Sequence, residues 1–281
     1  MSIRTGVVSL GLAALLPVSA ACGTNADPQQ AASSSTTTPS DAAVGDAGLP
    51  QGDEQVDLEP ASFTVDINNT YWPMEPGTRW TYREVDEEGN ELQVVVTATT
   101  ETKEIANGVT ARVVRDTVTQ DGALIEDTFD WYAQDADGTI WYLGEDTAEF
   151  ENGEITSTAG SFEAGVDGAL PGIIMPAHPQ DGMQYRQEYY KGEAEDNGEI
   201  LSTQEQAEVP YDHFEDALLT KDTITIEPDV LEYKLYAPGV GPVLVLGVSG
   251  GGGREELVAY ETVSNELAKA AGTTPLGESY R

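Results

Sequence analysis

Residues that favour tight turns recur at nearly even spacing through the middle of the chain. They are Glu88-Gly89-Asn90, Asn107-Gly108, Asp121-Gly122, Asp137-Gly138 and Asn152-Gly153. Their glycines lie 19, 14, 16 and 15 residues apart. Asn-Gly and Asp-Gly tolerate the positive φ angles of hairpin turns, so this spacing predicts a meander of six antiparallel strands.

Alternating side chains support this prediction. Phe129, Trp131 and Ala133 face one way, while Asp130 and Tyr132 face the other. Further strands are predicted at 185–192, 199–209, 217–226, 230–236, 243–248 and 256–263. About a dozen strands indicate a mainly β, single-domain protein with a curved antiparallel sheet or open half barrel. The proline- and glycine-rich stretch 164–184 predicts a long ordered loop.

The N-terminus has the pattern of a bacterial lipoprotein signal. Arg4 precedes an apolar segment from Gly6 to Leu16, and small residues lead to Cys22, the only cysteine of the 281 residues. We predict a signal peptide at 1–21 and a lipid on Cys22 that anchors the protein, extracytoplasmically, to the bacterial cell membrane. A free core cysteine, or a secretory signal cut near Ala21, is the alternative.

The remaining boundaries follow from composition. Residues 22–60 are mostly small and polar, which predicts a disordered tether reaching about 30 Å. The β domain is predicted at 61–263, and 264–281 is predicted as a short helix capped by Ser264 and a frayed tail.

The charge and the rarity of ligand-forming residues exclude several functions. The net charge is −37 and becomes −38 once Arg4 is removed with the signal peptide, so nucleic acid is repelled. After lipidation no thiol remains, and the histidines are His178 and His213. We therefore predict no cofactor and no metal centre.

Three motifs suggest chemistry, but each has a simpler interpretation. Gly247-Val248-Ser249-Gly250-Gly251 fits the serine-hydrolase pattern, yet a strand follows it where a helix is required, so a hairpin is predicted. Asp135 to Gly138 predicts a turn in preference to a calcium loop. A weak divalent site at Glu145, Asp146, Glu149 and Glu151, or a copper site at Met175, His178 and Met183, is the alternative.

Aromatic residues suggest a ligand cavity. The candidate ligand-binding residues are Trp80, Trp131, Trp141, Tyr142, Met175 and His178. The alternative is that these side chains form the core. A half barrel needs something large on its concave face, which is either the 164–184 loop or a ligand.

Two stretches of the chain resemble the opening and closing motifs of a group of secreted bacterial lipoproteins of unassigned function. They are Tyr71-Trp72-Pro73-Met74-Glu75-Pro76-Gly77-Thr78-Arg79-Trp80-Thr81-Tyr82 and Tyr236-Ala237-Pro238-Gly239-Val240-Gly241. Residues 126–135 and 140–146 look like the middle hairpin of the same group. More distantly, the closing motif is similar to that of LolA-like half-barrel lipoproteins. The resemblance implies a curved sheet around an apolar cavity and brings no catalytic residues.

Together these features predict a non-enzymatic, membrane-anchored protein that binds a lipid, another apolar ligand or an envelope partner. Two alternatives stay open. The first is an extracellular cation-binding acidic domain, and the second is an envelope hydrolase that uses carboxylates. The sequence indicates no particular oligomeric state.

Overall fold

A computed structural model describes residues 48–251, 253–273, 275 and 278–280. The signal peptide and Cys22 lie outside these described residues. A single-turn 3-10 helix, Pro60–Ser62, precedes the first strand. The strands are β1 (Phe63–Thr64), β2 (Thr78–Asp86), β3 (Glu91–Glu104), β4 (Thr110–Gln120), β5 (Ala123–Asp135), β6 (Ile140–Glu151), β7 (Glu154–Ser157), β8 (Phe162–Glu163), β9 (Gly172–Met175), β10 (Gln184–Arg186), β11 (Asp196–Glu208), β12 (His213–Ile224), β13 (Leu231–Ala237), β14 (Gly241–Ser249) and β15 (Gly253–Thr262). The α-helix α1 (Asn265–Ala271) follows them.

All the strands belong to one open antiparallel sheet, which confirms the predicted fold class. Strands β2 to β7 form one meander and strands β10 to β15 form another. The two meanders meet where β15 pairs with β2, while β1 pairs with β5, and β8 and β9 both pair with β6. Each predicted glycine turn joins two successive strands between β2 and β7. At two of them both central residues have positive φ: Asp121-Gly122 and Asn152-Gly153.

The sheet is strongly curved. Trp72 packs against Tyr132 of β5 at 5.6 Å and against Tyr236 of β13 at 5.9 Å between ring centroids. Five strands separate β5 from β13 in the sheet order, namely β14, β15, β2, β3 and β4. Both rings can meet Trp72 only because the sheet bends around it, so the inner face encloses a core.

The two ends of the curved sheet approach each other without forming a continuous ladder. We call this gap the seam: it lies between residues 170–172, at the start of β9, and residues 187–189, which follow β10. One isolated bridge crosses it, in which the Leu170 amide donates to the Tyr189 carbonyl at 2.7 Å. Gly172 allows this approach, since a Cβ there would lie 2.0 Å from the Gln187 carbonyl oxygen.

The segment 164–184 differs from the long loop predicted for it. It contains β9, which pairs with β6 and is fully buried. Its prolines and glycines lie on either side of Ile173 and Ile174, so the short apolar run forms a strand between two bends. Part of the segment therefore extends the sheet toward the seam.

The N-terminal boundary of the β domain and part of the C-terminal tail also differ from the prediction. Residues 48–60 were expected in the tether, yet Pro50 is buried and Leu49 and Leu58 pack against the core. At the other end, α1 begins after Ser264, as predicted, and the Ser264 hydroxyl accepts a hydrogen bond from the Leu267 amide. In the predicted frayed tail, the described residue Tyr280 lies against the sheet, where its ring packs on Phe129 and Phe150. No helix in the described part of the chain is long and apolar enough to cross a membrane.

Candidate functional site

The six predicted ligand-binding residues do not form one site. Trp80 lies on the inner face and donates through Nε1 to the Val240 carbonyl at 2.8 Å. Tyr142 also lies there, whereas Trp131 and Trp141 lie on the opposite face. Met175 is fully buried in β9 and His178 is exposed in the following loop. The structure thus uses the aromatic residues and Met175 mainly as core.

The inner face carries a feature that the sequence analysis missed. Carboxylic acids alternate with apolar and tyrosine side chains along the strands and point into the core. We call them the inner acids: Glu84, Asp116, Glu126, Asp130, Glu145, Glu188, Asp196, Asp222, Glu232 and Glu255. All are buried except the half-buried Glu232. Charged groups are rarely buried unless they are paired, so this lining calls for an explanation.

Lys234 shows how the interior satisfies a charged group. Its Nζ lies 3.0 Å from Asp222 Oδ2 and 3.5 Å from Glu232 Oε2, and 3% of its side chain is exposed. Burial lowers the pKa of Lys234, but the two carboxylates outweigh burial and hold that pKa well above its ordinary value. Lys234 is therefore a charged ammonium group held by carboxylates.

Asp130 and Glu145 share the hydroxyl of Tyr142. Its oxygen lies 2.7 Å from Asp130 Oδ1 and 2.7 Å from Glu145 Oε2. A hydroxyl has one hydrogen and can donate to one carboxylate only, so the other carboxyl group must be protonated and donate to it. Burial raises the pKa of Asp130 to about 7 and, with help from Asp130, raises that of Glu145 well above its usual range. This pair holds a proton.

Glu188 and Asp196 form a second acid pair beside the first. Their carboxyl groups are hydrogen-bonded to each other, which requires a proton between them. Burial raises the pKa of Asp196 to about 7 and raises that of Glu188 well above its usual range. The charges of Glu145 and Asp130 also raise the pKa of Glu188, so the two pairs interact electrostatically across the core.

Asp116 and Glu255 differ from the other inner acids. Within the described residues, neither oxygen of either carboxyl group has a hydrogen-bond partner. Asp116 is 2% exposed and Glu255 is 1% exposed. Burial is the main reason why the pKa of each is raised, and Glu84 raises both further. Buried polar groups in folded proteins are almost always hydrogen-bonded, so four orphaned oxygens indicate a missing partner.

The other predicted motifs have structural roles. Ser249 lies at the end of β14, and its hydroxyl donates to the Asp229 carbonyl at 2.6 Å in a strand-turn-strand context. Asp135 Oδ1 accepts from the amides of Asp137, Gly138 and Thr139, each at 3.0 Å, as expected of a turn. Among the residues that the structure describes, no three His, Cys, Asp or Glu side chains are grouped so that they could hold a metal ion.

The sequence contains a signal for the inner acids, although it is easily overlooked. Acids lie two residues from aromatic side chains in several strands, as in Tyr82-Arg83-Glu84 and Asp130-Trp131-Tyr132. Residues two apart in a strand share a face. An acid that lies two residues from a fully buried tyrosine or tryptophan in a strand therefore also points into the core.

Comparisons with known proteins add little to this description. No protein-family model matches the chain, and a search of curated proteins gave no match. Among solved structures, the chain is similar to one described as "a putative lipoprotein from Parabacteroides distasonis", with 13% identity and a TM-score of 0.38. The likeness covers 69% of this chain and 99% of the other. At this TM-score it supports no inference about fold or function.

Proposed function

We propose that this protein is a lipid-anchored, extracytoplasmic binding protein whose curved sheet holds a ligand bearing a protonated amine. The observation that carries the ligand proposal is the orphaned pair of carboxyl groups, Asp116 and Glu255, on the inner face. Buried carboxylates need hydrogen-bond donors and a positive charge. An ammonium group supplies three N–H donors together with that charge.

Lys234 provides an internal precedent for this chemistry. Its ammonium group is fully buried on the same face, between two carboxylates at 3.0 and 3.5 Å. Glu255 and Glu84 lie opposite each other in β15 and β2 and offer a similar pair of acids. Tyr82, on the same face, adds an aromatic ring, a group that also attracts cations. An amine-bearing ligand would find there the surroundings that Lys234 already has.

An apolar ligand fits the interior less well. The tyrosine and tryptophan side chains that would line an apolar cavity pack on one another, as in the stack of Tyr132 on Tyr142 at 4.9 Å. Their polar atoms are engaged as well, since the Tyr82 hydroxyl donates to the Pro242 carbonyl. A lipid chain placed against the inner acids would leave their oxygens without hydrogen bonds.

A carboxylate hydrolase is also less well supported. Hydrolases of this kind need two carboxyl groups on either side of an accessible substrate cleft. Asp130 and Glu145 instead converge on one tyrosine hydroxyl, and both are at least 97% buried. Their geometry suits holding a proton better than attacking a substrate.

The anchor proposal rests on the N-terminal sequence. Arg4, the apolar segment 6–16 and the small residues before Cys22 form the pattern of a lipoprotein signal. We expect radiolabelled palmitate to be incorporated into the wild type and not into Cys22→Ala, which should leave the membrane fraction. A Cys22→Ala protein that still fractionates with membranes would contradict the anchor.

The amine proposal is tested by calorimetry with spermidine on the soluble protein, preceded by native mass spectrometry of membrane-extracted protein to find any bound amine. We expect Asp116→Asn/Glu255→Gln to bind spermidine at least tenfold more weakly than wild type. The control, Glu199→Gln/Glu208→Gln, removes two charges from β11 outside the core and should bind normally. Calcium binding without spermidine binding would replace the amine by a metal ion, and binding of neither would refute the proposal.

A further inference from the structure

The acid pairs lie on the two sides of the seam. Tyr142 of β6 is paired with Gly172 in the ladder that leads to the seam, and Glu145 lies three residues further along β6. On the other side, Glu188 is next to Tyr189, which makes the isolated bridge. The Asp196 carbonyl accepts from the Gln187 amide at 2.7 Å, which fixes the second pair at the same place.

The seam is the least bonded junction between neighbouring parts of the sheet. Elsewhere neighbouring strands form ladders, such as that between β3 and β4 from Leu92 to Glu104. Across the seam, the described contacts are the Leu170 to Tyr189 bridge, the close approach at Gly172, and the bond from Arg186 Nε to the Pro171 carbonyl at 3.0 Å. Few backbone hydrogen bonds would have to break for it to open.

A depression lies beside the seam at the surface. Its volume is ≈ 480 Å³, and it is lined by residues 48, 49, 51 and 54 and by residues 180–184. Gln184 belongs to β10, so the depression adjoins the free edge of the sheet. It gives a molecule from solution a place to approach the edge where the inner acids begin.

The protons of the acid pairs affect the electrostatic repulsion across the seam. With its shared proton, each pair is bridged by a hydrogen bond and carries one negative charge instead of two. Deprotonated, acids on the two sides repel each other in a region with little water to screen them. The groups facing this region from the surrounding strands are Asp116, Glu126, Tyr132, Tyr185, Asp222, Glu232, Lys234 and Tyr236. Lys234 attracts Asp196 but is already engaged by Asp222 and Glu232.

We propose that the seam is the entrance to the interior and that it opens when the acid pairs Asp130–Glu145 and Glu188–Asp196 lose protons. The entrance role rests on the proposed function, whereas the opening itself does not. The seam is closed in mildly acidic solution and opens as the pH rises toward neutral and above. The same proton loss leaves the inner acids charged and ready to bind an ammonium group.

Hydrogen exchange tests the opening directly. Mass spectrometry would follow peptides covering 166–175 and 185–194 in the mature chain with Cys22→Ser, corrected for the intrinsic effect of pH on exchange. We expect opening to be at least tenfold more frequent at pH 8 than at pH 5.5. Glu145→Gln/Glu188→Gln should lose this difference, and the Glu199→Gln/Glu208→Gln control should keep it. Equal opening at both pH values, or a double variant that behaves like wild type, would overturn the proposal.

A disulfide across the bridge tests the entrance. Leu170→Cys and Tyr189→Cys are antiparallel partners, a geometry suited to a disulfide, and the Cys22→Ser background contains no other thiol. The oxidised protein should take up spermidine at least tenfold more slowly than the same protein after reduction. Uptake at an unchanged rate would show that the seam is not the entrance. If the reduced protein binds no spermidine, the proposed function fails, and the exchange experiment still decides whether the seam opens.

Discussion

Arg115 and Asp116 are neighbours in β4, yet their side chains meet opposite conditions on the two faces of the sheet. On the outer face, Arg115 donates to both oxygens of Asp127, at 2.7 and 2.9 Å. The Tyr280 hydroxyl donates to the same carboxylate. On the inner face, both oxygens of Asp116 lack a hydrogen-bond partner among the described residues.

Burial does not explain this difference. The Asp127 side chain is 0% exposed and Asp116 is 2% exposed. What differs is the supply of donors: a guanidinium and a hydroxyl reach Asp127 on one face, whereas no donor among the described residues reaches Asp116 on the other. The outer acid is satisfied within the chain and has a structural role. The inner acid needs a proton or a ligand, which is why we assign function to the inner face.

The largest expected effect concerns pH and the inner face. The pKa of Asp130 and Asp196 is about 7 in the folded protein, above the ordinary value of about 4. Their contribution to stability is therefore complete below pH about 4, falls as the pH rises, and is lost above pH about 7. We expect the free energy of unfolding in urea to fall by about 4 kcal/mol from pH 5 to pH 7.

The variant Asp130→Asn/Asp196→Asn controls for the general repulsion of this acidic protein. It cannot take up these two protons, so its stability should depend much less on pH. A wild-type protein that becomes more stable between pH 5 and pH 7 would show that the inner acids are ionised in the folded state.

The next effect concerns the outer face. Arg115→Met leaves Asp127 buried without its guanidinium partner, and breaking such a pair costs about 3 kcal/mol. Arg83 provides a matched control, since it pairs with Glu256 but half of its side chain is exposed (50%). Arg83→Met should cost less than about 1 kcal/mol. Similar losses for the two variants in urea unfolding would show that the outer pair adds little to stability.

The smallest expected effect is a gain in stability, whereas most substitutions in a protein core cause a loss. Asp116→Asn removes the need to protonate a buried carboxyl group on folding, so we expect the ligand-free protein to gain about 1 kcal/mol at pH 7. The gain should shrink at pH 5, where less free energy is needed to protonate the acid. Thermal or urea unfolding at both pH values measures it. A loss of stability at pH 7 would indicate that the fold already satisfies Asp116.

The sequence predicted the fold well because its turns are local. Asp121-Gly122 adopts positive φ at both residues, which Asp and Gly tolerate better than most residues. The N-cap at Ser264 is equally local. Residues 48–60 were harder to predict, because a few apolar side chains such as Leu49 and Leu58 contact the core in a segment whose composition is polar.

The candidate site could not be predicted in the same way. Alternation in β5 separates Phe129 and Trp131 from Asp130 and Tyr132, but it does not indicate which set faces the core. In this sheet both sets are buried: Tyr280 packs on Phe129 of the aromatic face, α1 packs on the neighbouring β3, and curvature encloses the acidic face. The polar side of a strand is normally assigned to solvent, so the alternation alone does not predict that the inner acids are buried.

The sequence by itself determined the order of strands and turns, the single acidic β domain and the lipoprotein-like N-terminus, since each depends on residues close together in the chain. Only the tertiary structure decided that acids from eight strands and the loop after β10 share one interior and that the ends of the sheet meet beside two acid pairs. These relations join residues as distant as Glu84 and Glu255, and they depend on the curvature of the whole sheet.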